Sequence, residues 1–430
     1  MAWMHRRVVI TGLGLISPLG LTLEDNWNSL TKGISGLDCI SSPKCSSWKI
    51  RIAGEVKNFD PRCLPGKRKA IKLMNRDSQL AVAATGMALE DSKLNRNEIE
   101  PSAIGITFGA FGIQYTPEDA YVTTYTASGN EASWLNDSEE AKCLNPIWPL
   151  TILPNMSLCH SAISHNIQGP NLAFCSLTTS GAQAIGEAFK LIQCGETDIF
   201  VAGGCSSLNP SYMFSLYSSG LLSDEKSDPH AACRPFDNNR IGLVMGEGAS
   251  VVVLEELSHA LKRNAPIYGE LIGYSSTMGN SGLPADAPSF DTMVEGIVTC
   301  VKEAIEQAEI DPQDIDYLNA DGKATVISDW AETEAIKEVF GSYAHRLTIS
   351  STKSTMGHLL CASAPAELVA GALVLRDGVI PPTINYQNPD PRCDLDYTPN
   401  HSKKKDVKVV LSHTIGLNGD NAALLLKRFS

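Results

Sequence analysis

Long apolar runs are missing from this chain. No uncharged stretch approaches the roughly 20 residues that a membrane-spanning helix needs, so no such helix is expected. Clustered positive charge is missing too: 35 Lys and Arg against 48 Asp and Glu leave a net charge of −13 at pH 7. Neutralising nucleic-acid phosphates takes clustered Lys and Arg, so a nucleic-acid partner is excluded. The short run Lys403-Lys-Lys405 reads as a solvated loop. Twelve cysteines occur without one Cys-x-x-Cys pair, which supports neither a disulfide frame nor a zinc site; no metal or other cofactor is expected. The stretch Met1-Ala-Trp-Met-His-Arg-Arg7 passes straight into an apolar strand-like run, with no room for a leader's hydrophobic region, so a cytoplasmic protein is expected.

What is present is an ordinary packed globular chain, 43% hydrophobic and 19% charged over 430 residues, long enough for two core-bearing units. Val8-Val-Ile-Thr-Gly-Leu-Gly14, Asp198 to Gly204 and Ala249 to Leu254 read as buried strands, with a helix over Ala182 to Cys194. After Glu256 the pattern restarts with a strand at Ile267 to Gly273, a helix over Thr292 to Ala308 and a strand at Asp314 to Asn319. Val407 to Leu411 and Ala422 to Lys427 make two further strands around the turn Gly416 to Asn421. Buried strands alternating with amphipathic helices predict an α/β sheet covered on both faces.

The segment Asn171-Leu-Ala-Phe-Cys-Ser-Leu-Thr-Thr-Ser-Gly-Ala-Gln-Ala-Ile-Gly-Glu-Ala188 runs from an apolar stretch through a Thr/Ser/Gly turn into a helix start. Such a turn aims a side chain at the helix N-terminus, where backbone N–H groups lower a thiol's pKa and hold a developing oxyanion. The residue so placed is Thr178, whose hydroxyl has no thiolate-like population near neutral pH and no base nearby in sequence. Cys175, three residues earlier in an apolar run, reads as a small buried hydrophobe rather than a displaced nucleophile.

Arg6-Arg-Val-Val-Ile-Thr-Gly-Leu-Gly14, Arg234-Pro-Phe-Asp237, Gly246-Glu-Gly248, Lys353-Ser-Thr-Met-Gly-His358 and Ile380-Pro-Pro-Thr-Ile-Asn385 together resemble the β-ketoacyl-carrier-protein synthases over nearly the whole chain. The resemblance implies a five-layer thiolase-like fold of two similar α/β halves, here 4–256 and 257–430. Members of that family hold the acyl chain on a cysteine and use two histidines to decarboxylate a malonyl-carrier and condense the carbanion. In register, Thr178 replaces the cysteine, and Asn319-Ala-Asp-Gly-Lys-Ala-Thr325 puts Asp321 in place of the first histidine. A carboxylate there opposes an enolate oxyanion. Lys323 stands where the family's threonine helps bind the phosphopantetheine arm, and Leu417 where its phenylalanine gates the acyl pocket. Lys353 and His358 match the second histidine motif; a structural role such as a Lys353–Asp321 ion pair is expected, and Cys361 is read as packing.

The lost cysteine, the lost histidine and Ala364-Pro-Ala-Glu367 resemble the chain-length factor, or ketosynthase β subunit, of type II polyketide synthases. That resemblance implies a subunit without catalytic residues of its own, its active-site positions Thr178, Asp321, Lys353 and His358 being degenerate. It would pair as a heterodimer with a catalytic ketosynthase and meet the phosphopantetheine-bearing acyl-carrier protein mainly through that partner. The tunnel wall is expected to include Phe108, Phe111, Gly112, Tyr115 and Leu417, with core packing an equal reading for the aromatics. The polar interruption 128–147 falls near the implied dimer interface and tunnel and reads equally as a surface loop. Two other functions remain open: a standalone malonyl-carrier decarboxylase or atypical β-ketoacyl synthase, and a homodimeric scaffold.

Overall fold

The structure is a computed structural model and describes residues 6–41, 49–65, 68–112, 147–225, 227–279 and 289–429; Tyr115 and 128–146 of the polar interruption lie outside the described residues. A ten-stranded sheet runs through the molecule. Its strands are β1 Val8–Ile16, β2 Ile104–Gly109, β3 Asn171–Phe174, β4 Ile199–Ser206, β5 Gly248–Glu256, β6 Gly269–Met278, β7 Tyr317–Asn319, β8 Thr348–Ser350, β9 Val409–Ile415 and β10 Asp420–Lys427. The order across the sheet is β8-β7-β9-β10-β6-β1-β5-β4-β2-β3. Outward from the centre, β1 meets β5 and β5 meets β4 antiparallel, and β4, β2 and β3 continue parallel. On the other side β6, β10 and β9 are antiparallel, and β9, β7 and β8 continue parallel. The two halves thus repeat one pattern about the antiparallel β1–β6 pair.

Strand alternation explains the layers. In β4, Phe200 and Ala202 face one way and Ile199, Val201 and Cys205 the other; in β10, Ala422, Leu424 and Leu426 oppose Ala423 and Leu425. All of these are buried, because helices cover both faces. Helices α1 (Arg76–Asp91) and α2 (Met156–His165) form one outer layer, and α4 (Phe290–Gln307) and α5 (Val326–Phe340) the other. Between the half-sheets lie α3 (Ser180–Gln193) and α6 (Ser363–Asp377), which pack on each other and share one core with strands of both halves. This is the expected five-layer thiolase-like architecture. Burying each Leu, Ile or Val of that core contributes on the order of 2 kcal/mol.

Local signals set the boundaries. α4 begins two residues before the periodicity suggests because the Ser289 side chain accepts from the Thr292 N–H at 3.2 Å and caps it. Close layer contact needs a missing side chain at Gly14, where a Cβ would lie 2.2 Å from the Ala84 carbonyl oxygen of α1. One expectation is corrected. Cys175 is exposed, not buried, because β3 is the edge of the sheet and Asn171, Leu172 and Ala173 have no neighbour on their outer side within the described residues. The Lys403-Lys-Lys405 run is also more ordered than a loop: Lys403–Lys404 form a short exposed strand, and the Lys405 ammonium donates to the Asp316 carbonyl at 2.7 Å. Among the described residues no helix is long and apolar enough to cross a membrane.

Candidate active site

Three turns converge between the half-sheets. The first, a 3-10 turn over Leu177–Thr179, leads into α3, and its Leu177 sits at φ +55°, a left-handed conformation that costs energy for a non-glycine residue. Thr178 is fully buried two residues before a 14-residue helix, and its Oγ1 has no hydrogen-bond partner among the described residues. The next residue, Thr179, donates to Asp420 Oδ2 at the start of β10. Gly181 is needed one step further on, since a Cβ there would meet the Cys361 carbonyl oxygen at 2.2 Å. Cys361 itself is buried in packing, as expected, and burial pushes its thiol up to about 12.

The second turn follows β7. The Glu332 carboxylate of α5 holds it by accepting from the Asp321 N–H at 2.8 Å and the Gly322 N–H at 2.9 Å. Asp321 is completely buried between two ammonium groups, with Lys323 Nζ 3.0 Å from Oδ2 and Lys353 Nζ 3.1 Å from Oδ1. Burial opposes its ionisation, but the two lysines outweigh burial and hold its pKa well below the carboxylate range. The Lys353–Asp321 pair foreseen in the sequence is therefore present. Two ammonium groups flank the Asp321 carboxylate, a feature absent from the expectation that it opposes an oxyanion. Lys353 also bonds Glu367 of α6. Burial drives Glu367 up to about 7, against the pull of Lys353.

The third turn carries His358. Its Nδ1 accepts from the Leu360 N–H at 3.0 Å, which places the ring proton on Nε2, and Nε2 has no partner among the described residues. Burial first, and the Lys353 ammonium next, depress its pKa to about 3, so the ring is neutral at physiological pH. The turns bearing Thr178 and His358 pack on each other through Leu360–Ala362. The converging turns thus bring together a neutral N–H donor, a hydroxyl without a partner among the described residues and a group of paired buried charges.

The proposed tunnel residues divide. Phe108 is fully buried in the outer core with Leu80 and Leu158. Phe111 is half-buried and meets Tyr212 edge-on with centroids 4.6 Å apart, and both pack with Leu417 around Met213, Leu360 and Cys361. A Cβ on Gly112 would enter open space, and Tyr115 lies outside the described residues. An apolar cavity of about 610 Å³ lies over Met213, Phe214 and Tyr217. Sequence reasoning missed Glu332, Glu367, Asp420 and Thr179 as site residues; the one signal available was acidic side chains in otherwise apolar or small-residue segments.

Comparison with known proteins bears on this pocket. Residues 5–260 match the β-ketoacyl synthase N-terminal domain and residues 268–387 its C-terminal domain. A protein of Coxiella burnetii is 38% identical over 98% of this chain and 99% of its own length, and one of Synechocystis is 37% identical over 99% and 98%; both are named 3-oxoacyl-(acyl-carrier-protein) synthase 2. Among solved structures, a β-ketoacyl synthase from Burkholderia phymatum superposes with a TM-score of 0.87 at 28% identity, covering 99% of this chain and 100% of that one. The ishigamide ketosynthase/chain length factor gives 0.84 at 29%, and a type II polyketide ketosynthase in complex with its acyl-carrier protein gives 0.80 at 30%, with the same coverage. The names of the curated relatives, which match end to end, overturn the expectation of a non-catalytic chain-length factor: they designate synthases. The two matched domains and the full-length relatives together show that the chain belongs to the β-ketoacyl synthase family.

Proposed function

We propose that the protein is a catalytic but atypical ketosynthase whose working half is decarboxylation of a malonyl thioester presented on an acyl-carrier protein. The carrier assignment draws on the names of the full-length relatives and on the carrier-bound structural neighbour. One observation carries the chemistry: neutral, buried His358 has an Nε2–H with no hydrogen-bond partner among the described residues. In the reaction, the malonyl C–C bond to the carboxylate breaks, carbon dioxide leaves and its electron pair moves onto the α-carbon. The resulting enolate oxygen accepts from His358 Nε2–H, and a solvent proton then gives the acetyl thioester. A fixed donor in a buried site stabilises such an oxyanion strongly, and Lys323 and Lys353 flank the Asp321 carboxylate beside it. Transfer of an acyl group to Thr178 Oγ1 needs a base to remove its proton, and no described residue is hydrogen-bonded to it.

The β3 edge supplies a second surface. Leu172 on β3 and Ile163 on α2 are exposed, Ile163 to 76%, beside backbone that is unpaired among the described residues. This supports pairing along that edge with another chain of the same fold.

The test is to incubate the purified chain with malonyl-carrier protein and follow carbon dioxide and acetyl-carrier. Release that His358→Ala abolishes is the expected result. A chain that binds the carrier and releases no carbon dioxide, alone or paired, would sink the reading.

A further inference from the structure

The helix Pro210–Ser218 serves two surroundings. On one face Tyr212 meets Phe111 edge-on, and Leu216 packs in the same cluster as Leu360 and Cys361. Met213 and Tyr217 follow those residues in sequence and so lie about 100° round the helix. With Ile50, Pro210, Ser211 and Phe214 they line the apolar cavity of about 610 Å³. Small-molecule sites occupy roughly 300–1,000 Å³ and combine apolar walls with a few polar groups. Phe214 is 70% exposed, an apolar ring that a ligand would remove from water. The cation of the lining is Lys49, whose Nζ stands 6.0 Å from the centroid of the Tyr217 ring. Lys49 forms no ion pair among the described residues, in a chain where 48 acidic side chains outnumber 35 basic ones. The next cavity, of about 650 Å³ beyond Pro210 and Met213, differs in this respect. Its cations are matched, Arg76 by Glu247 at 2.8 Å and Lys57 by Asp38 at 2.6 Å.

We propose that the cavity beside Met213, Phe214 and Tyr217 binds a fused-ring aromatic carboxylate, with its rings against those three side chains and its carboxylate on Lys49. Two aromatic rings and a thioether present faces on which a flat π-system packs well, offset or edge-on. The unpaired ammonium selects the sign of the charge: an anion gains a partner there, and a cation meets repulsion. The site goes beyond the decarboxylation reading and does not rest on it, since neither Thr178 nor His358 lines the cavity.

Fluorescence anisotropy tests it. Full-length protein is titrated into pyrenebutyrate and into its uncharged counterpart pyrenebutanol; the acid should bind saturably at one site and the alcohol more weakly. Lys49→Met keeps an unbranched stem and removes the charge, so it should weaken the acid roughly twofold to fivefold, the range of exposed ion pairs, and leave the alcohol unchanged. Phe214→Ala removes a ring from the wall and should weaken both probes roughly threefold to tenfold. Both side chains are exposed, so neither change disturbs the core. Decanoate, an anion without rings, should compete poorly with pyrenebutyrate. The site is overturned by an absence of saturable binding to the native protein, by Lys49→Met acting on acid and alcohol alike or on neither, or by undiminished binding in Phe214→Ala. Displacement by decanoate at equal concentration would overturn the aromatic assignment. Neither probe is a thioester, so the outcome is independent of whether carbon dioxide is ever released.

Discussion

Lys353 Nζ stands 3.1 Å from Asp321 Oδ1 while also bonding Glu367, so one fully buried ammonium serves two carboxylates from different elements. Removing one member of such a group strands the others. Lys353→Met is expected to cost about 3–5 kcal/mol, since uncompensated buried charge is far more costly than the intact pair is favourable. The double variant Lys353→Met with Glu367→Gln should cost less than the sum of the two single changes. Urea unfolding of the four proteins measures this, and strict additivity would contradict it.

Glu367 makes the pocket sensitive to pH. Its folded pKa of about 7 lies above the ordinary 4.5, so between those values the folded protein holds a proton that the unfolded chain has released. Stability from this group is full below pH 4.5 and is lost as pH rises through 7. Glu367→Gln, which mimics the protonated form, should therefore gain on the wild type by up to about 3 kcal/mol across that window. Comparing unfolding midpoints of the two proteins at pH 5 and pH 8 isolates this group from the other titrations.

The contribution of His358 to decarboxylation should be flat in pH from 8 down to 5. His358 is held near 3 by burial and by Lys353, so its Nε2–H stays a neutral donor throughout. Removing it with His358→Ala should cost on the order of 100-fold or more in rate. A loss of activity centred near 6.5 in the wild type would mean that the imidazole titrates as a free side chain.

No acyl adduct should form on the native chain, because no described residue is hydrogen-bonded to the Thr178 hydroxyl to take its proton. Thr178→Cys should accept an acyl group from an acyl-carrier at a slow but measurable rate, since the helix start favours a thiolate. Intact mass reads both outcomes. An adduct on native Thr178 would show that a base has been overlooked.

Much of this was legible in the order of residues, and for identifiable reasons. β1, β4, β5 and β10 were visible as apolar runs because both of their faces are covered, which leaves no polar alternation to blur the signal. The Asp321–Lys353 pair was foreseeable because charges inside apolar motifs need partners. The exposure of Cys175 was not, since it depends on β3 having no neighbour beyond it. Glu332 and Glu367 escaped notice because each acquires its role from a turn distant in sequence. Function was misjudged by weighing the absent cysteine and histidine above the retained His358, while the resemblance to named synthases runs the length of the chain.

β10 carries a consequence for biosynthesis. It occupies 420–427, yet it sits in the interior of the sheet with β9 on one side and β6 on the other, and its first residue anchors the turn of Thr178. A nascent chain that has emerged only to residue 419 has every other strand but a slot through its middle, so the ribosome must deliver the wedge before the sheet can close. A premature stop there would leave two half-built sheets with facing raw edges rather than a protein with a frayed tail.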